Sequence, residues 1–336
     1  MKGYGSEQKQ LSWLATLRGV AALLVFISHL YHIHANGKIL FIFGRIGVVC
    51  FFLMTGYLTM VSREKRNRKQ YLWNRFLRVY PIYWLLLLLT VLLDLHSYSV
   101  KSVALNATLF EEFFGEDAII GASWMLPIQV VFFIGVALFG FKLFINKNNT
   151  EKSNMQRGMV LISICMIVAV AIGGARRITG KPFPTAFLLL IGLSVLGIYY
   201  QYVNGNIKKI APLWIIYEVC FLVSVVLSYP GKAVRYIVAY NIGIVLFVIF
   251  EKFISGKDLI SSLFAKIGRI GFTFFLGAGI PWALLLKIST FEDSIGLKVL
   301  GCILKFCAAV LLGYVITRFI EEPLLRWGKK VEKKLD

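Results

Sequence analysis

Apolar runs of about 20 residues, the length that crosses a bilayer's hydrocarbon, alternate with short charged stretches along nearly the whole chain. None of these runs shows the polar/apolar alternation of a barrel strand, and only helices otherwise satisfy so much backbone in lipid. The pattern predicts an all-α, polytopic membrane protein with ten transmembrane helices, at 12–31, 39–61, 79–95, 120–145, 158–174, 184–201, 210–229, 233–252, 263–286 and 296–325. Pro127, Pro212 and Pro281 fall in or at the edge of these spans, where helices kink or end.

Composition agrees. The chain is 58% hydrophobic and 16% charged, against about 25% charged in a soluble domain, which excludes a water-soluble globule. A formal charge of +20 would point to nucleic acid in a soluble protein. Here the charges lie between spans, so they read as topology signals and as a site for a polyanion, with no nucleic-acid partner expected. Loops on the side of the termini hold 24 Lys and Arg and the opposite loops nine, which by the positive-inside rule makes both termini cytoplasmic. Residues 1–11 form a cytoplasmic segment, 12–327 one membrane domain and 328–336 a basic tail. The outer loop from 95 to 119 instead carries Glu111, Glu112, Glu116 and Asp117. The five cysteines all sit in apolar runs without a CxxC pair, so neither disulfides nor a metal site is expected. The first run carries Arg18 and His29 and lacks a small-residue cleavage site, and is read as a retained helix.

The chemistry lies in polar residues inside these apolar runs. Arg18 and His29 are eleven residues apart, three helical turns with a residual of about 20° and an axial rise of about 16 Å. They share a face, with Arg18 nearer the cytoplasm. The stripe between them passes Ala22 and Val25, small enough to leave room for a ligand. An intramembrane arginine points into a bundle or a wet cavity. The structural alternative pairs Arg18 with Glu218 or Glu321. Histidine can serve as a base or as an acyl acceptor, and His32, one turn farther and about 40° off the stripe, is a rival to His29. Arg75 and Arg78, three residues apart beside the third span, would share a helix face suited to phosphate. The small residues of the second span, from Gly47 to Gly56, read as close helix packing, and Trp124 as an interfacial anchor. Lys305, deep in the tenth span, is expected to pair with a carboxylate.

Taken in order, these segments resemble the membrane-bound acyltransferase-3 family, which includes bacterial O-antigen and peptidoglycan O-acetylases. Arg18-Gly19-Val20-Ala21-Ala22 with His29 matches an R-x10-H signature, and Gly47-Val48 through Phe51-Phe52 to Thr55-Gly56-Tyr57 is similar to GVxxFFxxSG[FY], with Thr for Ser. Arg75-x-x-Arg78-x-x-Pro81 resembles RxxRxxP, and Glu321-x-Pro323 the E-x-P near the last span. Gln129 stands where relatives often carry Glu, and Ala278 nearest a family histidine. The resemblance implies an O-acyltransferase of the bacterial cytoplasmic membrane that takes an acyl group, generally acetyl, from cytoplasmic acetyl-CoA. The acceptor implied is a hydroxyl of a surface or lipid-linked carbohydrate. Arg18 and His29 would be essential, with Arg75, Arg78 and Arg18 holding the donor's phosphates. His29 would act either as a base or by carrying the acyl group. The alternative is an exporter or flippase of a lipid-linked glycan, in which the same Arg and His line a conduit. The oligomeric state has no signature in the sequence.

Overall fold

A computed structural model describes residues 4–30, 37–63, 66–94, 97–256, 258–288 and 295–335. Every expected span is helical, and there is no strand among the described residues. The helices are α1 (Tyr4–Ser28), α2 (Gly37–Arg63), α3 (Arg68–Leu93), α4 (Val100–Thr108), α5 (Leu126–Phe139), α6 (Glu151–Thr179), α7 (Thr185–Tyr202), α8 (Ile207–Ser228), α9 (Ala233–Phe253), α10 (Leu259–Leu276), α11 (Gly279–Ile288), α12 (Ile295–Ile316) and α13 (Glu322–Glu332). Among the described residues nine helical stretches are long and apolar enough to cross a membrane, and the apolar part of α1, Ser12–Ser28, is a shorter tenth. Lipid is the solvent: on α6, Val160, Ile164 and Ile167 are 57–61% exposed, while Ile162 and Met166 on the other side are fully buried.

Three of the departures from the expected boundaries have a clear local reason. The ninth span is broken into α10 and α11 around Gly277 and Ala278. Pro281 has no N–H for the carbonyl of Gly277 and its ring would clash there. The backbone tightens instead, with the Ile280 N–H donating to the Gly277 oxygen at 3.0 Å. The third helix starts well before residue 79, because Asn67 and Gln70 form a reciprocal cap. The Gln70 N–H donates to Asn67 Oδ1 at 2.9 Å and the Asn67 N–H to Gln70 Oε1 at 3.1 Å, a polar box that starts a helix. Arg75 and Arg78 therefore lie within α3, on a helix as their spacing implied. In the outer loop, Ser99 caps the unexpected α4 by accepting from the Ser102 N–H at 3.1 Å.

The chain forms two compact units, one of residues 1–47, 73–127 and 254–336 and the other of residues 48–72 and 128–253. In the second, hydroxyls tie helices together through main-chain oxygens: Ser224 Oγ donates to Ala169 at 3.1 Å and Tyr217 Oη to Leu189 at 3.1 Å. Such bonds and small-residue contacts hold helices where lipid removes the hydrophobic drive to associate. The first unit contains α1, α10 and α12. Its outer loop is held by buried Asn106, whose Nδ2 donates to the Ser102 and Asp117 oxygens while Oδ1 accepts from the Ile119 N–H at 2.8 Å. That amide fixes the segment 119–122, which becomes a wall of the site.

Candidate active site

Arg18 and His29 are positioned by the packing of α1 on α10. A Cβ on Gly268 would meet Ala15 and Gly19, one on Gly271 would meet Ala22, and the rings of Phe26 and Phe274 stack at 4.8 Å. Residue numbers rise together along this seam, so the two helices run parallel. Parallel spans require an odd number of crossings between them, and seven of the membrane-length stretches lie between α1 and α10, in agreement with the alternation read from the loop charges.

The seam closes the stripe that small side chains were expected to leave open. Ala22 is fully buried and Val25 is 2% exposed. A Cβ on Gly271 would stand 3.3 Å from the Ala22 methyl, and one on Gly47 2.8 Å from a Val25 methyl. Neighbouring helices therefore occupy the space alongside Ala22 and Val25. The glycine-rich motif of the second span serves close packing, as its composition implied.

At the Arg18 end the structure gathers four of the residues singled out by sequence. Arg18 lies within electrostatic reach of Glu321 and Arg75, and Glu321 within reach of both Arg78 and Arg18. Glu321 rather than Glu218 is thus the carboxylate near Arg18; Glu218 Oε1 accepts from Asn241 Nδ2 at 2.8 Å. Glu321 ends a π-helical turn, Thr317–Glu321, in which the Glu322 N–H reaches back five residues to the Thr317 oxygen. Pro323 explains the widening, since it cannot donate to the preceding turn and its ring displaces a carbonyl there. Thr317 Oγ1 donates to Glu321 Oε2 at 3.1 Å and fixes the carboxylate. Trp73 Nε1 donates to the Gly328 oxygen at 3.1 Å, tying the arginine-bearing part of α3 to α13. Arg78 and Arg18 near Glu321, with Arg75 near Arg18, leave a net positive group that suits a polyanion.

His29 stands apart from this group, just beyond the last residue of α1. Its Nδ1 is 2.8 Å from the Val25 oxygen. A carbonyl can only accept, so Nδ1 carries the proton and Nε2 is left with its lone pair, the tautomer a base requires. Ser28 Oγ donates to the same oxygen at 2.6 Å. His29 lines a cavity of about 280 Å³ together with Thr90, Ile120, Phe275, Ala278 and Lys305. Ala278, which stands nearest the family histidine, is part of that wall. His32 lies outside the described residues.

Lys305 was legible as an intramembrane charge but not as a neighbour of His29. It is 5% exposed, and its Nζ donates to the His29 main-chain oxygen at 2.9 Å. Gln129 Nε2 donates to Thr55 Oγ1 at 3.4 Å, so the two polar departures from the family pattern contact each other. The Arg45 guanidinium lies 4.7 Å from the ring of Trp124, which adds a cation–π contact to the anchoring expected of that tryptophan.

Residues 11–327 match a family model described as an acyltransferase domain, the acyltransferase-3 family. Comparison with curated proteins and with solved structures finds no match.

Proposed function

The chain belongs to the acyltransferase-3 family, whose domain accounts for residues 11–327, and it is a multi-pass membrane acyltransferase. From that premise we propose that it is an O-acyltransferase of the bacterial cytoplasmic membrane, transferring acetyl from cytoplasmic acetyl-CoA to a hydroxyl of a cell-envelope carbohydrate. One observation carries the reading: His29, whose Nδ1 is bonded to the Val25 oxygen, lines a cavity, and the helix it follows carries Arg18 into a guanidinium group about 16 Å away. Those are two ends that a long donor, anionic at one end and reactive at the other, would span.

Arg75, Arg78 and Arg18 bind the phosphates of coenzyme A, with Glu321 within reach of Arg78 and Arg18. The thioester lies in the cavity, and His29 Nε2 takes the proton of the acceptor hydroxyl as its oxygen attacks the acyl carbon. The donor's arm cannot lie over Ala22 and Val25 as they are packed, so binding parts α1 from one of its neighbours or routes the arm beside them.

The test uses membranes of the source cell with the gene deleted and then restored, given acetyl-CoA labelled in the acetyl group on the cytoplasmic side. The expected result is ester-linked label in the glycan fraction only where the gene is present. Equal labelling in both, with glycan export lost in the deletion, would overturn the reading in favour of an exporter. Free coenzyme A released in a burst without acceptor would replace direct transfer by an acyl-histidine route.

A further inference from the structure

Lys305 has no place in the chemistry described so far, yet it lines the same cavity as His29. It is 5% exposed in the middle of α12, a costly position for a cation in a membrane helix. Its surroundings hold it in place. Nζ donates to the His29 oxygen at 2.9 Å and lies 5.9 Å from the Phe26 ring. Phe306, next to Lys305 on α12, meets Phe26 and Phe274 at 5.8 Å each. These rings lock α1, α10 and α12 together at the cavity, so the charge and the imidazole keep a fixed relation.

We propose that Lys305 is the electrophilic partner of His29 in acyl transfer, donating a hydrogen bond to the acyl carbonyl oxygen as negative charge develops there. The inference rests on the acyl-transfer reading above. The acceptor oxygen forms its bond to the acyl carbon, its proton moves to His29 Nε2, and the carbonyl π pair moves onto the oxygen that Lys305 faces. When that pair returns, the carbon–sulfur bond breaks, and coenzyme A leaves as the thiol with the proton from His29. A fixed cation in a water-poor cavity stabilises such an oxyanion without reorganising. The competing role is structural: a cation at the carbonyl end of α1 complements the helix dipole.

Lys305→Met and Lys305→Arg, in the full-length protein in the restored membranes, separate the two roles with acetyl-CoA as the donor. In Lys305→Met, kcat should fall about 10²- to 10³-fold with the KM for acetyl-CoA within threefold of wild type. Its melting temperature should not drop, because an apolar side chain replaces a buried charge. Lys305→Arg, which keeps the charge, should recover at least tenfold over Lys305→Met. A kcat for Lys305→Met within threefold of wild type would overturn the proposal. So would an equal loss in both variants accompanied by a lower melting temperature. If the restored wild type itself transfers no label, the acyl-transfer reading fails first and this inference with it.

Discussion

Gly19 and Gly268 meet at the seam between α1 and α10, where a Cβ on Gly268 would stand 2.8 Å from the Gly19 nitrogen. What it would meet is helix backbone, which cannot move aside as a flexible side chain can. This contact sets the height of α1 against α10, and thereby places His29 level with the α10–α11 break that walls the cavity. Gly268→Ala and Gly19→Ala should each destabilise the protein by about 1 to 3 kcal/mol, the usual cost of overpacking. Thermal unfolding in detergent measures this, and wild-type melting temperatures in both would show that the seam is looser than described. Gly174, whose added Cβ would meet nothing within 4 Å, is the control for alanine substitution and should be neutral.

His29→Ala should lower kcat about 10²- to 10⁴-fold, the range for loss of a general base, and leave folding intact. The side chain's own hydrogen bond returns to Val25 in its own helix, and the bond from Lys305 goes to the main-chain oxygen, which alanine retains. Turnover near wild type with an unchanged melting temperature would remove His29 from the mechanism.

The helical pattern and the charged positions of the site were readable because lipid makes each intramembrane charge conspicuous. Arg18 stood out by that cost, Arg75 and Arg78 by their spacing beside the third span and Glu321 as a possible partner of Arg18, and the fold links them through Arg18 and Glu321. The early start of α3 was written in Asn67 and Gln70, but a dense basic run around them reads equally well as a loop. The bond from Lys305 to the His29 oxygen had no signature, since a main-chain carbonyl looks the same in every residue. The stripe past Ala22 and Val25 shows the reverse problem. Small side chains that seem to leave room also let helices approach, and here Gly271 and Gly47 drew α10 and α2 into the space.

The arginine pair should govern donor affinity rather than the chemical step. Arg75→Ala and Arg78→Ala should each raise the KM for acetyl-CoA about 10- to 100-fold, the range for a lost hydrogen bond to a charged group, with much smaller changes in kcat. Arg78 is exposed and Arg75 half-buried, so added salt should weaken the contribution of Arg78 more. Steady-state kinetics at two ionic strengths would show this, and a fall in kcat at constant KM would move the pair out of the donor site.

Glu111 makes the outer loop sensitive to pH. It is 2% exposed, and among the described residues its Oε2 has no hydrogen-bond partner. Burial pushes its carboxyl above the usual carboxylate range, a main-chain hydrogen bond pulls it back in part, and the charge of Glu112 adds to the rise. A raised value in the folded state means that the native protein holds this proton more tightly than the unfolded chain does. The stabilisation is therefore complete below the ordinary glutamate value and is lost as pH climbs through the raised one. Glu111→Gln keeps the shape and removes the charge, so it should melt higher than wild type at pH 8 and with little difference near pH 4. Neighbouring Glu116 is held on the opposite side of its ordinary value by Lys101, 2.8 Å away. Melting curves of Glu111→Gln and Glu116→Gln across that interval should therefore separate in opposite directions from wild type, and parallel curves for the two would refute the assignment of the loop's pH response to Glu111.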